Sequence, residues 1–283
     1  MSGARAGVGA GLFGELDAFA VAYPHAPARL SHALSGHPLF ALGRLARLAE
    51  ALPADRLEYN RGDLGLSQDP EATPANGLTA AETVRTIEEN GSWMVMKNVE
   101  RDPDYAGLMA DCLDALEDVT RPATGPRHLA EAFVFLSSPG STTPFHMDPE
   151  HNVLCQLRGT KVMAVYPRDG LVGQEAHEAF ALGAHRNLRH EARFDAASET
   201  FELGPGDALH VPLLAPHWVR NGDAVSVSFS ITWRSALSVA EGDTHRANAW
   251  LRARGLRPRP PGGCFDGAKR AGYKALRRAR LAR

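Results

Sequence analysis

The stretch TPFHMDPEHNVLCQLRGTKVMAVYP, residues 143–167, combines metal-capable side chains with two short apolar runs, and the rest of the chain is interpreted around it. His146 and Asp148 stand two residues apart, so on a β-strand both side chains point to the same face. Two such ligands do not hold a metal ion alone, and a third must come from elsewhere. The best candidate is His217, which follows a Gly-Asp turn and a short apolar run in GDALHVPLLAPHWVRN, residues 206–221.

Two imidazoles and one carboxylate form the facial triad of non-haem iron(II) oxygenases, which leaves coordination positions open for other ligands. We therefore predict His146, Asp148 and His217 as metal ligands and catalytic residues. A structural zinc site would be closed and usually rich in thiolates. The three cysteines lie far apart and form no CxxC pair: Cys112, Cys155 and Cys264.

The histidines also fit a chain without a metal site. An isolated His-x-Asp pair occurs by chance in many proteins, and the later histidine in its particular frame is what favours a metal site. His151 and His210 are interpreted as neighbours of the site or as groups that support its ligands. His151 has the opposite strand parity from His146, although Pro149 can shift that phase.

From about Glu131 the chain consists of short runs rich in Val, Phe, Leu and Thr that are bounded by Gly and Pro. Many such strands at short spacing predict a sandwich or a barrel. The segment from Val225 to Trp233 alternates between apolar residues and Ser or Thr. A barrel with an apolar outer face and a polar lumen accounts for that alternation, and so does a strand with one solvated face. The residues on the side that would line a lumen include Ser226, Ser228 and Thr232.

The part before these strands is predicted to mix helices with strands. Thr79 and Glu82 form a capping-box pattern for a helix that ends near residues 90–91. A buried strand is expected in residues 92–99, followed by an amphipathic helix with Asp102 as its N-cap.

The 283 residues, 44% hydrophobic and 23% charged, are enough for one large domain, and no repeat or long linker divides them. We predict a mainly β fold with flanking helices in a single domain. Its parts are a helix and strand region in residues 1–130, a catalytic β core in residues 131–235 and a basic helical tail in residues 236–283.

Beyond these patterns, the chain resembles the cupin superfamily, and within it the Jumonji-C-like oxygenases that depend on Fe(II) and 2-oxoglutarate. Residues 143–167 are similar to the corresponding stretch of the asparaginyl hydroxylases that modify hypoxia-inducible factor. The resemblance covers about residues 131–234. Four residues keep the spacing of the second cupin motif, whose middle glycine is replaced by Leu214: Gly206, Pro212, His217 and Asn221.

The resemblance implies a double-stranded β-helix (cupin or jelly-roll core) and assigns roles to three more residues. In the family pattern a threonine three residues before the first histidine, an asparagine four after the aspartate and a lysine fifteen after the histidine lie in the active site. Here these positions hold Thr143, Asn152 and Lys161. Lys161 and Thr143 are expected to bind the far carboxylate of 2-oxoglutarate by charge-assisted hydrogen bonds, and Asn152 to hold a ligand or line the pocket.

These residue types also have ordinary structural roles. Lys161 fits a strand lysine that faces solvent, although its apolar flanks favour an enclosed position in which it needs an anion. Thr143 fits a turn residue before Pro144. The family usually adds a tyrosine or similar hydroxyl from an earlier strand, and the sequence does not place this contact.

The family's reaction is the oxidative decarboxylation of 2-oxoglutarate to succinate, coupled to hydroxylation of an unactivated C–H bond. The resemblance therefore implies a dioxygenase with Fe(II) as metal and 2-oxoglutarate as cosubstrate, acting on a protein, a peptide, an amino acid or another metabolite. Removal of methyl groups from lysine is a weaker alternative, because no chromatin-reading module accompanies the domain in this sequence. A cupin-like module that binds a metal or ligand without oxygen chemistry is the second function class.

The net charge is −2, yet from Arg246 onward the chain carries 12 Lys and Arg residues against one acid, Asp266. This composition predicts a basic terminal helix that is solvated or forms a homodimer, while a nucleic-acid partner is less favoured. Its weak apolar component consists of Ala271, Leu276, Ala279 and Leu281.

The location is expected to be cytoplasmic. No run approaches membrane-spanning length, the first 17 residues lack the apolar core of a signal peptide, and the cysteine usage fits a reducing compartment. A membrane partner is therefore not expected.

Overall fold

In the computed structural model, which describes residues 11–279, eleven β-strands form two antiparallel sheets. The strands are β1 (Ala28–Ser31), β2 (Leu57–Arg61), β3 (Ser92–Lys97), β4 (Arg127–Ser137), β5 (Thr142–His146), β6 (His151–Arg158), β7 (Lys161–Val165), β8 (Glu199–Leu203), β9 (Asp207–Val211), β10 (His217–Asn221) and β11 (Ser226–Ser235). The larger sheet has the order β1-β9-β6-β11-β4-β3-β2, and the smaller has the order β5-β10-β7-β8.

The two sheets pack face to face. Their inner faces share an apolar cluster to which β6 and β9 contribute from the larger sheet and β7, β8 and β10 from the smaller. Such burial of one face of each sheet is what holds a two-layer β structure together. This arrangement is the double-stranded β-helix of the cupin fold, and it confirms the predicted fold class. The cluster includes Leu154, Leu209, Val211, Met163, Val165, Phe201 and Val219.

The first four helices of the chain cover the outer face of the larger sheet, where they bury the main apolar core. The helices are α1 (Leu16–Ala22), α2 (Leu42–Ala51), α3 (Ala80–Arg85), α4 (Pro103–Thr124), α5 (Gln174–Ala181), α6 (Ala236–Arg252) and α7 (Asp266–Arg278). Within the part of the chain that is described, none of these helices combines the length and the apolar character that a bilayer-spanning segment requires.

Local signals in the sequence fix two of these helices. The Thr79 hydroxyl accepts from the backbone N–H of Glu82, and the Glu82 carboxylate accepts from the backbone N–H of Thr79, so the predicted capping box is confirmed. Asp102 caps α4 through the N–H of Asp104, as predicted. Helix α3 ends at Arg85, earlier than predicted, because the Asn90 side chain donates to the carbonyl of Thr83 in its last turn.

Strand β11 is buried on both faces, so the alternative of a solvated Ser/Thr face is wrong. Its apolar residues pack in the core under the helices. On the other face, the Ser228 hydroxyl donates to Gln156 Oε1 at 2.7 Å, and Gln156 Nε2 donates to Ser226 Oγ at 3.0 Å. The alternation therefore reflects an apolar face and a buried polar face whose groups satisfy one another.

The basic tail forms helix α7, as predicted, although Leu281 lies outside the described residues. Tyr273 and Leu276 pack on Ala247 and Trp250 of α6. At least part of the apolar side of α7 is therefore used within the chain. The homodimer through these helices stays a prediction.

Candidate metal centre and its cavity

Three predicted ligands converge at one end of the smaller sheet. His146 is the last residue of β5, and His217 is the first residue of β10. The two histidines are cross-strand partners. Asp148 follows two residues after β5. Its Oδ2 lies 3.6 Å from Nε2 of His146 and 3.6 Å from Nε2 of His217. Over residues 11–279 this trio is the one group of three His, Cys, Asp or Glu side chains arranged closely enough to hold a metal ion.

Backbone carbonyls orient both imidazoles. Nδ1 of His146 lies 2.7 Å from the carbonyl oxygen of Pro144, and Nδ1 of His217 lies 2.9 Å from that of Ala215. A carbonyl is only an acceptor, so each Nδ1 carries the proton and each Nε2 presents its lone pair. Such contacts fix the tautomer that a metal requires. Both rings are thus prepared to coordinate through the atoms that face Asp148.

The charge state of the trio also suits a cation. Burial alone would raise the pKa of Asp148, yet the charge of Arg186 and, after it, the interaction with His146 hold the pKa well below its usual value. Arg186 Nη1 donates to Asp148 Oδ1 at 3.2 Å, which leaves Oδ2 directed at the histidines. Burial, and next the neighbouring His146, lower the pKa of His217 to about 4. At neutral pH the carboxylate is therefore ionised and His217 is neutral, as metal ligands must be.

Leu214, which replaces the motif glycine, adopts φ 59°, in the left-handed region that favours glycine. Its backbone N–H donates to the carbonyl oxygen of Asp148 at 2.9 Å. The side chain packs with Met147 and Leu213. Leu214 thus takes a backbone conformation that glycine favours, and its hydrogen bond ties the turn before His217 to the loop that carries Asp148.

A cavity of about 340 Å³ opens from the trio into the space between the sheets. All three further residues assigned from the resemblance line it: Thr143, Asn152 and Lys161. Lys161, the first residue of β7, is 5% exposed, and burial lowers its pKa to about 7. Its ammonium group has no hydrogen-bond or ion-pair partner among the residues that the structure describes. The solvent-facing role of Lys161 is therefore wrong, and the buried cation calls for an anion.

The two neutral residues are anchored differently. Trp93 Nε1 donates to Thr143 Oγ1 at 2.9 Å. The Ser230 hydroxyl donates to Asn152 Oδ1 at 2.6 Å, and the Asn152 side chain reaches the cavity from the larger sheet. Thr143 lies within β5 rather than in a turn. Both side chains are consequently fixed before any ligand binds.

Several cavity residues are not marked by any motif. The inner faces of β3 and β4 supply an aromatic wall in which Trp93 and Phe135 lie 6.2 Å apart and Phe133 stacks on Phe135 at 6.5 Å. The strand alternation in SWMVMK and in FVFL indicates which of their side chains share a face, but the cross-strand register that brings the two strands together cannot be read from the sequence. Arg186 lies in an irregular loop, and no local pattern points to it.

The two histidines near the motifs lie beside the cavity and not in it, as the strand parity of His151 predicted. His151 and His210 do not line the cavity; they lie on the opposite face of their strands, where their rings pack on Tyr23 at 5.3 and 5.1 Å. Pro149 does not shift the strand phase, so His151 keeps the parity opposite to that of His146 and points away from the cavity.

The serine and threonine side chains of β11 likewise do not line the cavity, since Ser226, Ser228 and Thr232 bond to Gln156 and to the Glu131 carbonyl. Strand β3 presents the indole of Trp93 to Thr143, and the earlier strand β2 contributes Tyr59 to the lining of the cavity.

Comparison with known proteins places this geometry in a family. Residues 49–238 match the model of the cupin-like domain, and the chain belongs to that family. A stretch of 113 residues is 32% identical to Jumonji C domain-containing protein 5 of Drosophila melanogaster, covering 35% of this chain and 26% of that protein. Another stretch of 104 residues is 31% identical to lysine-specific demethylase 8 of Danio rerio, covering 33% of this chain and 24% of that protein. The matches span about a quarter of each relative. The predicted Jumonji-C-like, cupin-like resemblance is confirmed.

Solved structures with a similar arrangement include the ribosomal oxygenase YcfD from Escherichia coli, in a complex with cobalt and 2-oxoglutarate. That structure is 14% identical, with a TM-score of 0.47 over 90% of this chain and 64% of its own. A second structure of Escherichia coli YcfD is 16% identical, with a TM-score of 0.47 over 90% of this chain and 63% of its own.

Proposed function

We propose that this chain is a 2-oxoglutarate-dependent dioxygenase that uses Fe(II) to hydroxylate a protein, peptide or amino-acid-like substrate, with conversion of 2-oxoglutarate to succinate. One observation carries the proposal: a His-Asp-His trio with free Nε2 atoms shares a cavity with a buried lysine that has no anionic partner among residues 11–279. A binding module without oxygen chemistry needs no such lysine beside the trio.

The donor set suits a divalent transition metal. His146, Asp148 and His217 supply two neutral nitrogens and one carboxylate oxygen, and this combination is typical of non-haem Fe(II). The described residues around the trio add no thiolate that would favour structural zinc. When bound, the iron supplies the redox chemistry that activates dioxygen. The residues of this chain hold and orient its ligands.

The cosubstrate fits the remaining polar groups. A 2-oxo diacid has one end that chelates a metal and another end that carries a carboxylate. Lys161 offers that carboxylate a buried cation, and Thr143 offers a hydroxyl, both lining the same cavity as the trio. A carboxylate accepts from both groups, and such charge-assisted bonds are about twice as strong as neutral ones. Asn152 lines the same cavity.

The substrate side of the cavity is the aromatic wall on β3 and β4. Phe133 and Phe135 offer flat apolar surface, and Lys97 pairs with Glu58 at 2.6 Å beside them. One relative bears the name of a lysine-specific demethylase, and we extend a protein-type substrate to this chain.

We also treat residues 1–283 as one domain, since α6 and α7 pack together and α6 contacts the β core.

Turnover of 2-oxoglutarate tests the proposal without knowledge of the substrate. The protein is incubated in air with ferrous iron, ascorbate and 2-oxoglutarate, and succinate is measured by mass spectrometry. We expect slow, iron-dependent succinate formation that is lost in Asp148→Ala. Equal succinate from the wild type and Asp148→Ala would overturn the assignment. No succinate from a wild type that binds iron would favour the non-catalytic module.

A further inference from the structure

The hydrogen bond between Trp93 and Thr143 joins the two sheets beside the cavity. Trp93 lies in β3 of the larger sheet, with Asn60 and Ser137 as its cross-strand neighbours, while Thr143 lies in β5 of the smaller sheet. Both side chains line the cavity that Lys161 also lines. The indole is therefore placed to act on Thr143.

The direction of this bond determines which hydrogen-bonding sites of the Thr143 hydroxyl remain open. An indole N–H is only a donor, so Thr143 Oγ1 must accept from Trp93 at 2.9 Å. A hydroxyl has one proton of its own, and in residues 11–279 no protein group accepts the proton of Thr143. The proton is consequently available to a molecule in the cavity. Trp93 occupies one of the two lone pairs of Oγ1, and without the indole both lone pairs would be open to a donor from the cavity.

Together with Lys161 this makes one part of the cavity a set of donors. An ammonium group has three donors and no acceptor, and the oriented Thr143 hydroxyl adds another donor. A carboxylate, which only accepts, satisfies both groups. A carboxamide brings an N–H₂ group that would meet donors, and a buried mismatch of that kind is costly.

We propose that Trp93 is a positioning and specificity-determining residue: by donating to Thr143 it occupies one of the two lone pairs of that hydroxyl and favours its use as a donor. The cavity then selects a cosubstrate with a terminal carboxylate over one with a terminal carboxamide. This inference rests on the proposed function, because it takes Lys161 and Thr143 to hold the far end of the cosubstrate. A purely structural role, as part of the wall with Phe135, would not make this distinction.

The first test examines the bond itself, with no metal or cosubstrate. The indole N–H signal of Trp93 is assigned in a nitrogen-15 NMR spectrum by its loss in Trp93→Phe, among the four tryptophans of the chain. In Thr143→Val we expect this signal to move upfield and to exchange faster with solvent, and Thr143→Ser is expected to restore it. An unchanged signal in Thr143→Val would overturn the bond and the proposal with it.

The second test measures selectivity by calorimetry on manganese(II)-loaded protein. The probes are N-oxalylglycine, which ends in a carboxylate, and N-oxalylglycinamide, which ends in a carboxamide. We expect the wild type to prefer the acid by at least about tenfold. Trp93→Phe keeps the ring and removes the donor, and the preference should shrink severalfold with manganese affinity unchanged. Thr143→Val should shrink it similarly, and the double variant should lose no more than either single variant.

Trp218→Phe is the matched control, since its indole donates to the hydroxyl of Tyr166 at 2.9 Å and does not line the cavity. We expect the preference to be unchanged in it. An undiminished preference in Trp93→Phe would overturn the role of Trp93 alone. A wild type that binds manganese but neither probe would overturn the proposed function, and this inference with it, even with the NMR bond present.

Discussion

His146 and His217 are cross-strand partners whose imidazole centroids lie 4.1 Å apart, and each ring is bonded to the backbone carbonyl two residues before it. The same local hydrogen bond thus occurs twice, once before each histidine. Because the carbonyls hold both Nδ1 protons, both Nε2 lone pairs point to Asp148. The backbone in β5 and in the turn before β10 prepares this geometry.

Replacing the shared carboxylate tests that arrangement. Asp148→Ala removes the one anionic ligand, so we expect iron binding to weaken by at least about 100-fold and succinate formation to fall to background. The fold should persist, because the backbone that orients the imidazoles is untouched. Circular dichroism checks the fold, and Asp63→Ala, at a surface pair with Arg61, serves as control. Wild-type turnover in Asp148→Ala would exclude the trio as the metal site.

Lys161→Met is expected to separate stability from ligand binding. In the ligand-free protein the described residues give the buried ammonium no anion, so its removal should raise the free energy of unfolding by about 1–3 kcal/mol. Affinity for 2-oxoglutarate should fall by about tenfold or more with metal binding intact. Urea unfolding and calorimetry measure the two effects. Unchanged cosubstrate affinity would remove Lys161 from the binding site.

The lowered pKa of Lys161 predicts a pH effect of defined sign. The folded, ligand-free protein has a pKa of about 7 at this group, well below the usual lysine value of 10.5. Between these values the unfolded chain binds more protons, so this group's contribution to stability rises with pH from about 7 to 10.5. A bound carboxylate favours the charged form. Binding should therefore take up a proton above pH 7, and the apparent affinity for 2-oxoglutarate should decline there.

Calorimetry in two buffers of different ionisation enthalpy at about pH 8.5, between the two pKa values, measures this proton uptake. Lys161→Met is the control and should take up none at this site. The same proton uptake in wild type and variant would assign the effect to another group.

Gln156 should matter for stability alone. Its amide satisfies Ser228, Ser226 and the carbonyls of Arg158 and Gly159. Gln156→Leu leaves these buried groups without hydrogen-bond partners, and we expect a loss of roughly 2–3 kcal/mol in the free energy of unfolding. Metal and cosubstrate affinity should remain, because Gln156 does not line the cavity.

Gln68→Leu is the matched control for that substitution. Gln68 donates to loop carbonyls near the surface, and its replacement should cost less than about 0.5 kcal/mol. Equal losses in the two variants would show that the polar face of β11 has no special role in stability.

Features that depend on neighbouring residues in the chain were predictable. Thr79 with Glu82 and Asp102 before Pro103 specify helix starts by short-range hydrogen bonds, and both appear as predicted. His146 and Asp148 stand two residues apart in the sequence, although Asp148 lies just after β5, and the frame around His217 made it the best third ligand. These signals need no knowledge of how strands pair.

Features that depend on packing between distant strands were not predictable. The alternation in β11 fits a solvated face as well as a buried one, and only the partner Gln156, 72 residues from Ser228, decides between them. Trp93 meets Thr143 across 50 residues, and Arg186 meets Asp148 from a loop. Sequence spacing carries no information on such contacts, because the register and the loop path fix them.

The most direct test of the central claim is an anaerobic visible spectrum of the protein with ferrous iron, before and after 2-oxoglutarate is added. Chelation of the iron by the 2-oxo acid gives a weak metal-to-ligand charge-transfer band. We predict that the band appears in the wild type and is absent in Asp148→Ala. Iron binding without the band, or a band that persists in Asp148→Ala, would contradict the claim that this trio holds iron for a 2-oxoglutarate-dependent reaction.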